Sequence, residues 1–265
     1  MDTIIFGDGP LGRAVASAIE ARGDPVRLVG RPLAGRHDPA GLAPIGVAIE
    51  ASRADAVRPN VETALAAGCR RFVLATTGWD PERDAVEAAL ARAGAAAVVA
   101  PNLSLGAALF FRIVEEAAAL LGPIGEFEPY VLEWHRRSKR DRPSGTAREL
   151  VRRIAAANRA SDAAAAADAA GAGPELEVAV IRAGASPGMH LVGFDAQGET
   201  IELRLTARDR SAYAAGALVA ADWLTAAERA PGLHPFDGVV DEIVGPAAHR
   251  PVPSDRPGAA LAATA

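Results

Sequence analysis

The chain has 265 residues, half of them hydrophobic, with a formal net charge of −5. That length allows one large or two modest domains with a proper core, and the acidic balance argues against a general nucleic-acid binder. Cys69 is the only cysteine, which excludes an intrachain disulfide and a cysteine-based metal cluster.

The N-terminus MDTIIFGDGP lacks a basic leader and a long apolar core, and reads as a strand entering a glycine turn. Short apolar runs predict strands at Thr3–Phe6, Val26–Val29, Val47–Ile49, Phe72–Ala75 and Ala97–Val99, with helices at Leu11–Ala21, Ala54–Ala67 and Arg83–Ala93 between them. Nearly all-apolar strands spaced by helices imply a parallel sheet covered on both faces.

Gly7, Gly9 and Gly12 form G-x-G-x-x-G between the first strand and first helix, with Pro10 and Leu11 inside the turn. In that context the glycines let the backbone approach a pyrophosphate that faces the helix N-terminus, so a dinucleotide, NADPH or NADH, is expected. A carboxylate at the end of the second strand would bind a ribose 2′-hydroxyl. The strand instead runs Val29-Gly30-Arg31 with Arg36 behind it. Arg31 is a candidate for a 2′-phosphate, which favours NADPH; the alternative is an ordinary loop arginine. Ala75-Thr76-Thr77-Gly78 and Asn102-Leu103-Ser104-Leu105-Gly106 follow the fourth and fifth strands, at the edge where open α/β sheets bind ligands. Ala75, Thr76, Gly78 and Asn102 are candidate cofactor contacts, although such residues are also ordinary in turns.

Leu105–Leu121 predicts a long apolar helix, yet nowhere do about 18 apolar residues accumulate, so no membrane span is expected. A strand at Glu128–His135, a helix at Ala147–Ala157, strands at Leu176–Ile181, His190–Phe194 and Thr200–Ala207, and a helix at Tyr213–Ala227 follow. Gln197-Gly198 is a hairpin turn. These elements form a second, mostly antiparallel sheet inserted before the closing helix. Ala155 to Gly173 is alanine-rich and reads as a frayed helix and loop, and the tail 246–265 as flexible.

Residues 135–146, HRRSKRDRPSGT, concentrate positive charge in an acidic chain. If the strand persisted, His135, Arg137 and Lys139 would share one face. Thr146 and Glu149 have capping-box spacing, so a helix begins there. The plain reading is a solvated basic loop and a capped helix. The sharper one is a small anionic substrate held at the helix start, with Lys139 supplying charge and His135 a proton. His37, His135, His190, His234 and His249 show no paired ligand spacing, so no metal is expected, and His190 reads as structural.

EWHRRSKRDRPSGTA resembles the E-x-H-H-x-x-K-x-D-x-P-S-G-T-A motif of the 4-hydroxy-tetrahydrodipicolinate reductase (dihydrodipicolinate reductase) family, with further likeness in GDGPLGR, ATTGWD, APNLSLGA, IRAG and HLVGFDAQGETIEL. The resemblance covers roughly residues 3–240. It implies an α/β fold: an N-terminal Rossmann-type parallel sheet with an inserted α+β substrate and oligomerisation domain. The expected division is 1–104 and 211–245 for the dinucleotide, 105–210 for substrate and oligomer contacts. It further implies NAD(P)H-dependent reduction in lysine and diaminopimelate biosynthesis by a cytoplasmic homotetramer. By position it implies His135 as proton donor, Lys139 as its assistant, Ser144, Gly145 and Thr146 as the carboxylate-binding turn, and Thr77 as a contact from the cofactor side. Arg136 replaces the family's second histidine, a substrate contact, Ala75 replaces a glycine, and Glu50-Ala51-Ser52 stands for D-F-T. A diverged reductase of another cyclic imine or amino acid, or a non-catalytic NADP(H)-binding protein, are the alternatives.

Overall fold

The computed structural model describes residues 2–30, 39–42, 44–100, 102–165 and 176–245, the side chains of 39, 40 and 159–165 excepted. Arg31, Arg36, the tail 246–265 and the end of the alanine-rich segment therefore lie outside the described residues.

The first half alternates as expected: β1 (Thr3–Phe6), α1 (Pro10–Glu20), β2 (Val26–Val29), a single-turn α2 (Pro39–Leu42), β3 (Val47–Glu50), α3 (Val57–Ala66), β4 (Arg71–Leu74), α4 (Arg83–Ala93) and β5 (Ala96–Val99). Helix α5 (Leu105–Leu121) then leads to β6 (Glu128–His135), α6 (Gly145–Ala165), β7 (Glu177–Arg182), β8 (Met189–Ala196) and β9 (Glu199–Thr206), and the chain returns through α7 (Ser211–Ala226), β10 (Gly232–Pro235) and α8 (Phe236–Val244).

Six strands make one parallel sheet in the order β10-β5-β4-β3-β1-β2. Because side chains alternate along a strand, each face has its own core. Ile5, Ile49, Val73 and Val98 pack with α1, α7 and α8, while Ile4, Phe6, Phe72 and Leu74 pack with α3 and α4. Residues of both sets are almost wholly buried, which explains why β1 and β3 read as unbroken apolar runs. Strand β10 and helix α8 escaped the sequence reading. Gly-Leu-His-Pro has a single large apolar residue, and its proline is tolerated because β10 is an edge strand.

The second sheet has the order β7-β6-β8-β9, with β6–β7 parallel and the other pairs antiparallel. Its Val131, Val192, Phe194 and Leu205 pack beneath Phe110, Val114, Leu150 and Ile154 of α5 and α6. The hairpin at Gln197-Gly198 is present, joining Ala196 to Glu199 in register. Two expectations need correction. Strand β6 ends at His135, so Arg137 does not continue its face, and α6 is capped by Ser144 rather than Thr146. The Ser144 hydroxyl accepts from Ala147 N at 3.2 Å, while Glu149 turns away to Arg152 and Arg153. A serine preceding the first helical residue outcompetes one placed inside the first turn.

Candidate active site

At the carboxyl end of the parallel sheet, Gly7 has φ +112° and turns the chain into α1. A Cβ on Gly12 would stand 1.9 Å from Gly7 O, and one on Gly7 2.4 Å from Ala51 O, whereas Gly9 has open space around it. The packed glycines thus clear a path for a ligand at Gly9. Helix α1 starts with Pro10 at its first turn and has neither a side-chain cap nor a first-turn acid, so Leu11 and Gly12 present free N–H groups to that space. These features fit a dinucleotide pyrophosphate.

Beside this turn, Ala51 N bonds to Phe6 O and Ala75 N to Glu50 O, which joins the ends of β1, β3 and β4. Glu50 is buried and accepts from Ser52 N at 2.8 Å, Asn60 Nδ2 at 2.7 Å and Thr76 Oγ1 at 3.2 Å, and also from the Ser52 hydroxyl. Burial raises its carboxyl above the ordinary value despite these donors. Thr76 is therefore held from below, Thr77 is exposed, and Asn102 Oδ1 closes a turn by accepting from Ser104 N at 2.9 Å.

The second cluster forms where the inner face of the other sheet runs past its helices. On β6 the buried face passes from Val131 to Glu133 to His135; Glu133 pairs in register with His190, and His135 with Arg182. Strand alternation puts all four polar side chains on that face. The Glu133 carboxylate accepts from Arg182 Nη2 at 2.6 Å and from Ser144 N at 3.0 Å, and both side chains of the ion pair are fully enclosed. Burial alone would raise the Glu133 carboxyl. His190, Ser144 and Arg182 outweigh it and hold the group well below the usual carboxylate range.

His135 Nδ1 lies 3.5 Å from Glu133 Oε2 but has no hydrogen-bond partner among the described residues, and Nε2 of His190 stands 3.2 Å from Ser144 Oγ. The two imidazoles meet edge to face with centroids 5.1 Å apart. Burial first, then His190, Lys139 and Arg182, push the His135 pKa down to about 4 against the opposing pull of Glu133. Glu133, His135 and His190 place ligand-capable atoms within 4.8 Å of one another. A dication there would have to displace or coexist with Arg182, whose guanidinium already neutralises the carboxylate.

Above this base the basic loop stays in solvent. Lys139 Nζ pairs with Asp141 at 2.8 Å, and Arg136 is exposed with its Nε donating to Ser138 Oγ. Ser144 N is taken by Glu133, but the N–H groups of Gly145 and Thr146, at the start of α6, have no acceptor among the described residues. Through Ser144 the same helix start touches Glu133 and His190, and its free N–H groups are suited to a carboxylate.

The structure thus gathers the sequence-predicted residues into two groups. Gly7, Gly9, Pro10, Leu11, Gly12, Ala75, Thr76, Thr77, Gly78 and Asn102 lie along the parallel-sheet edge; His135, Arg136, Lys139, Ser144, Gly145 and Thr146 lie at the end of the second sheet. Among the described residues no hydrogen bond or ion pair joins the groups. Gly106, just past the Asn102 turn, lies against Leu205, the register partner of His190: a Cβ there would stand 3.7 Å from the Leu205 side chain. Sequence reading overlooked Glu133, Arg182 and His190 as site residues. For Glu133 and His190 the period-two alternation with Val131 and Val192 was the available signal; Arg182 had none.

A glycine turn on a parallel sheet, together with a second sheet that carries a histidine and a cationic loop, is the architecture of a dinucleotide-dependent oxidoreductase of Rossmann type. Residues 106–239 match the model for "Dihydrodipicolinate reductase, C-terminus". The chain is 33% identical over 198 residues to the 4-hydroxy-tetrahydrodipicolinate reductase of Methanococcoides burtonii, covering 73% of this chain and 72% of that one. It is 36% identical over 201 residues to that of Archaeoglobus fulgidus, covering 74% and 76%. A dipicolinate-bound dihydrodipicolinate reductase from Paenisporosarcina sp. TG-14 superposes with a TM-score of 0.67 over 90% of this chain and 98% of that one, at 16% identity. The chain belongs to the dihydrodipicolinate reductase family.

Proposed function

We propose that this protein reduces 4-hydroxy-tetrahydrodipicolinate to tetrahydrodipicolinate with NAD(P)H and a proton, the 4-hydroxyl leaving as water, in the biosynthesis of diaminopimelate and lysine. The observation that carries the reading is the buried His135 imidazole 3.5 Å from Glu133, whose carboxylate holds Ser144 N at the start of α6, where further N–H groups have no acceptor among the described residues. The glycine turn holds the dinucleotide, which when bound supplies the hydride.

Gly145 and Thr146 N–H, with the Ser144 hydroxyl, bind one substrate carboxylate, and Lys139 and Arg136 draw the dianion in. His135 is neutral in the free protein near pH 7, because its pKa lies near 4. A dianion arriving beside it adds the negative charge that favours imidazolium, so proton uptake accompanies binding and the ring donates that proton to the reduced substrate. Glu133, fixed by Arg182 and Ser144, sets a negative charge 3.5 Å from the ring that favours its protonated form. Thr77, exposed on the cofactor side, reaches the substrate as the two parts close. The division of labour falls near 104/105 and 210/211.

Assembly follows from the sheet's other face. Leu132, Trp134, Ile181 and Leu191 lie there, with Trp134 and Ile181 38% and 42% exposed, and none of the described helices packs over them. Such a face is suited to a homotetramer. Among the described residues no helix is long and apolar enough to cross a membrane, and a cytoplasmic enzyme is part of this reading, since the reduced dinucleotide is held there. The deciding assay follows dinucleotide oxidation by the purified protein with freshly generated 4-hydroxy-tetrahydrodipicolinate. Turnover with it, and much less with other cyclic imines, is expected. Activity confined to another imine would replace the substrate and point to Arg136 as the cause.

A further inference from the structure

We propose that Asp8 selects the cofactor, favouring NADH over NADPH, by supplying from the glycine turn the carboxylate that the end of β2 lacks. This rests on the reading of the parallel sheet as an NAD(P)H site.

In a doubly wound sheet the pyrophosphate sits at the first helix and the adenosine ribose beside the end of the second strand. The second strand here ends at Val29 and continues into Gly30, which offers no side chain. Asp8 lies between the first two glycines of the turn, and its side chain leans across to that point: a Cβ on Gly30 would stand 3.4 Å from Asp8 Oδ2 and 3.6 Å from its Cγ. The carboxylate is partly exposed and, among the described residues, has no hydrogen-bond or ion-pair partner. It borders a cleft of about 490 Å³ lined by Asp8, Gly9, Pro10 and Arg13.

An unpaired carboxylate at that place accepts hydrogen bonds from ribose 2′- and 3′-hydroxyls. A 2′-phosphate offers it no donor and adds close to two negative charges at neutral pH. Arg13 is the other charged residue on the cleft. Its Nε donates to the main-chain Asp8 O at 2.6 Å, and no ion pair joins it to the Asp8 carboxylate among the described residues. The carboxylate therefore opposes the phosphate at contact distance, where like charges weigh most.

The test needs no substrate. NADH and NADPH are titrated onto the full-length protein and onto Asp8→Asn and Asp8→Glu variants, with dinucleotide fluorescence giving each dissociation constant. The wild-type protein is expected to bind NADH at least about tenfold more tightly, Asp8→Asn to bring the two within about threefold mainly by strengthening NADPH, and Asp8→Glu to keep the preference. Equal or tighter NADPH binding by the wild type, or an unchanged ratio in a folded Asp8→Asn protein, overturns the assignment to Asp8 while leaving the cofactor site standing. Binding of neither dinucleotide overturns the cofactor reading itself, and Asp8 falls with it.

Discussion

The Glu133 carboxylate and the Arg182 guanidinium meet at 2.6 Å with both side chains shut off from solvent, directly beneath the loop that carries Lys139 and Ser144. Removing one partner strands the other's charge. Glu133→Gln and Arg182→Met should each cost roughly 3–5 kcal/mol in urea denaturation, whereas replacing both with apolar residues should cost far less than the sum. Additive losses would show that the two charges do not depend on one another.

His135 titrates in the opposite sense to a paired histidine. Its folded pKa of about 4 lies below the ordinary value of 6.5, so between those values the unfolded chain binds more protons. The stability that goes with a neutral His135 is complete above about pH 6.5 and is lost as pH falls toward 4. Glu133, whose carboxyl is held low, adds a further loss below about pH 4.5. Denaturation midpoints should therefore drop across pH 6.5 to 4, and His135→Gln should flatten that part of the curve. An NMR titration of the ring near 6.5 would contradict the buried, neutral state.

The parallel sheet was legible because its central strands are buried on both faces, so Thr3–Phe6 and Val47–Ile49 announce themselves as apolar runs between turn residues. The β6 strand was equally clear, since Glu128–His135 alternates and is stopped by charge. What the sequence hid was long-range. Glu133 and His190 stand 57 positions apart in a chain of 265 residues and become neighbours only through antiparallel register, and nothing local in IRAG shows that Arg182 will face His135 across a parallel pair. Asp8 was passed over for a similar reason. The pattern places the acid at the end of β2, whereas this carboxylate reaches Gly30 from the glycine turn after β1.

Two glycines separate a structural from a ligand-clearing role. A Cβ on Gly216 of α7 would stand 1.5 Å from Leu103 O, a backbone atom that cannot rotate away, so Gly216→Ala should destabilise the fold by about 1–3 kcal/mol or more. Gly9 has nothing within 4 Å of its Cβ position. Gly9→Val should leave the thermal midpoint nearly unchanged and weaken dinucleotide binding, because the added side chain fills only the space reserved for the pyrophosphate. Calorimetry and a binding titration on the two variants distinguish these effects.

Ser144 and His135 should part company in steady-state kinetics. Ser144 caps α6 through Ala147 N and touches His190, so Ser144→Ala should lose about 1 kcal/mol of stability and loosen the carboxylate turn. Its main kinetic effect should be a higher KM, since a ground-state contact that persists in the transition state affects binding more than turnover. His135→Gln keeps the turn and removes the proton, so kcat should fall by roughly a hundredfold or more with little change in KM. The acid dependence should move with it: if substrate binding raises the proton affinity of His135, the wild-type kcat profile carries an ionisation well above pH 4 that His135→Gln lacks. Loss of that ionisation in Ser144→Ala but not in His135→Gln would assign the proton to another group, Lys139 being the nearest cation in the loop.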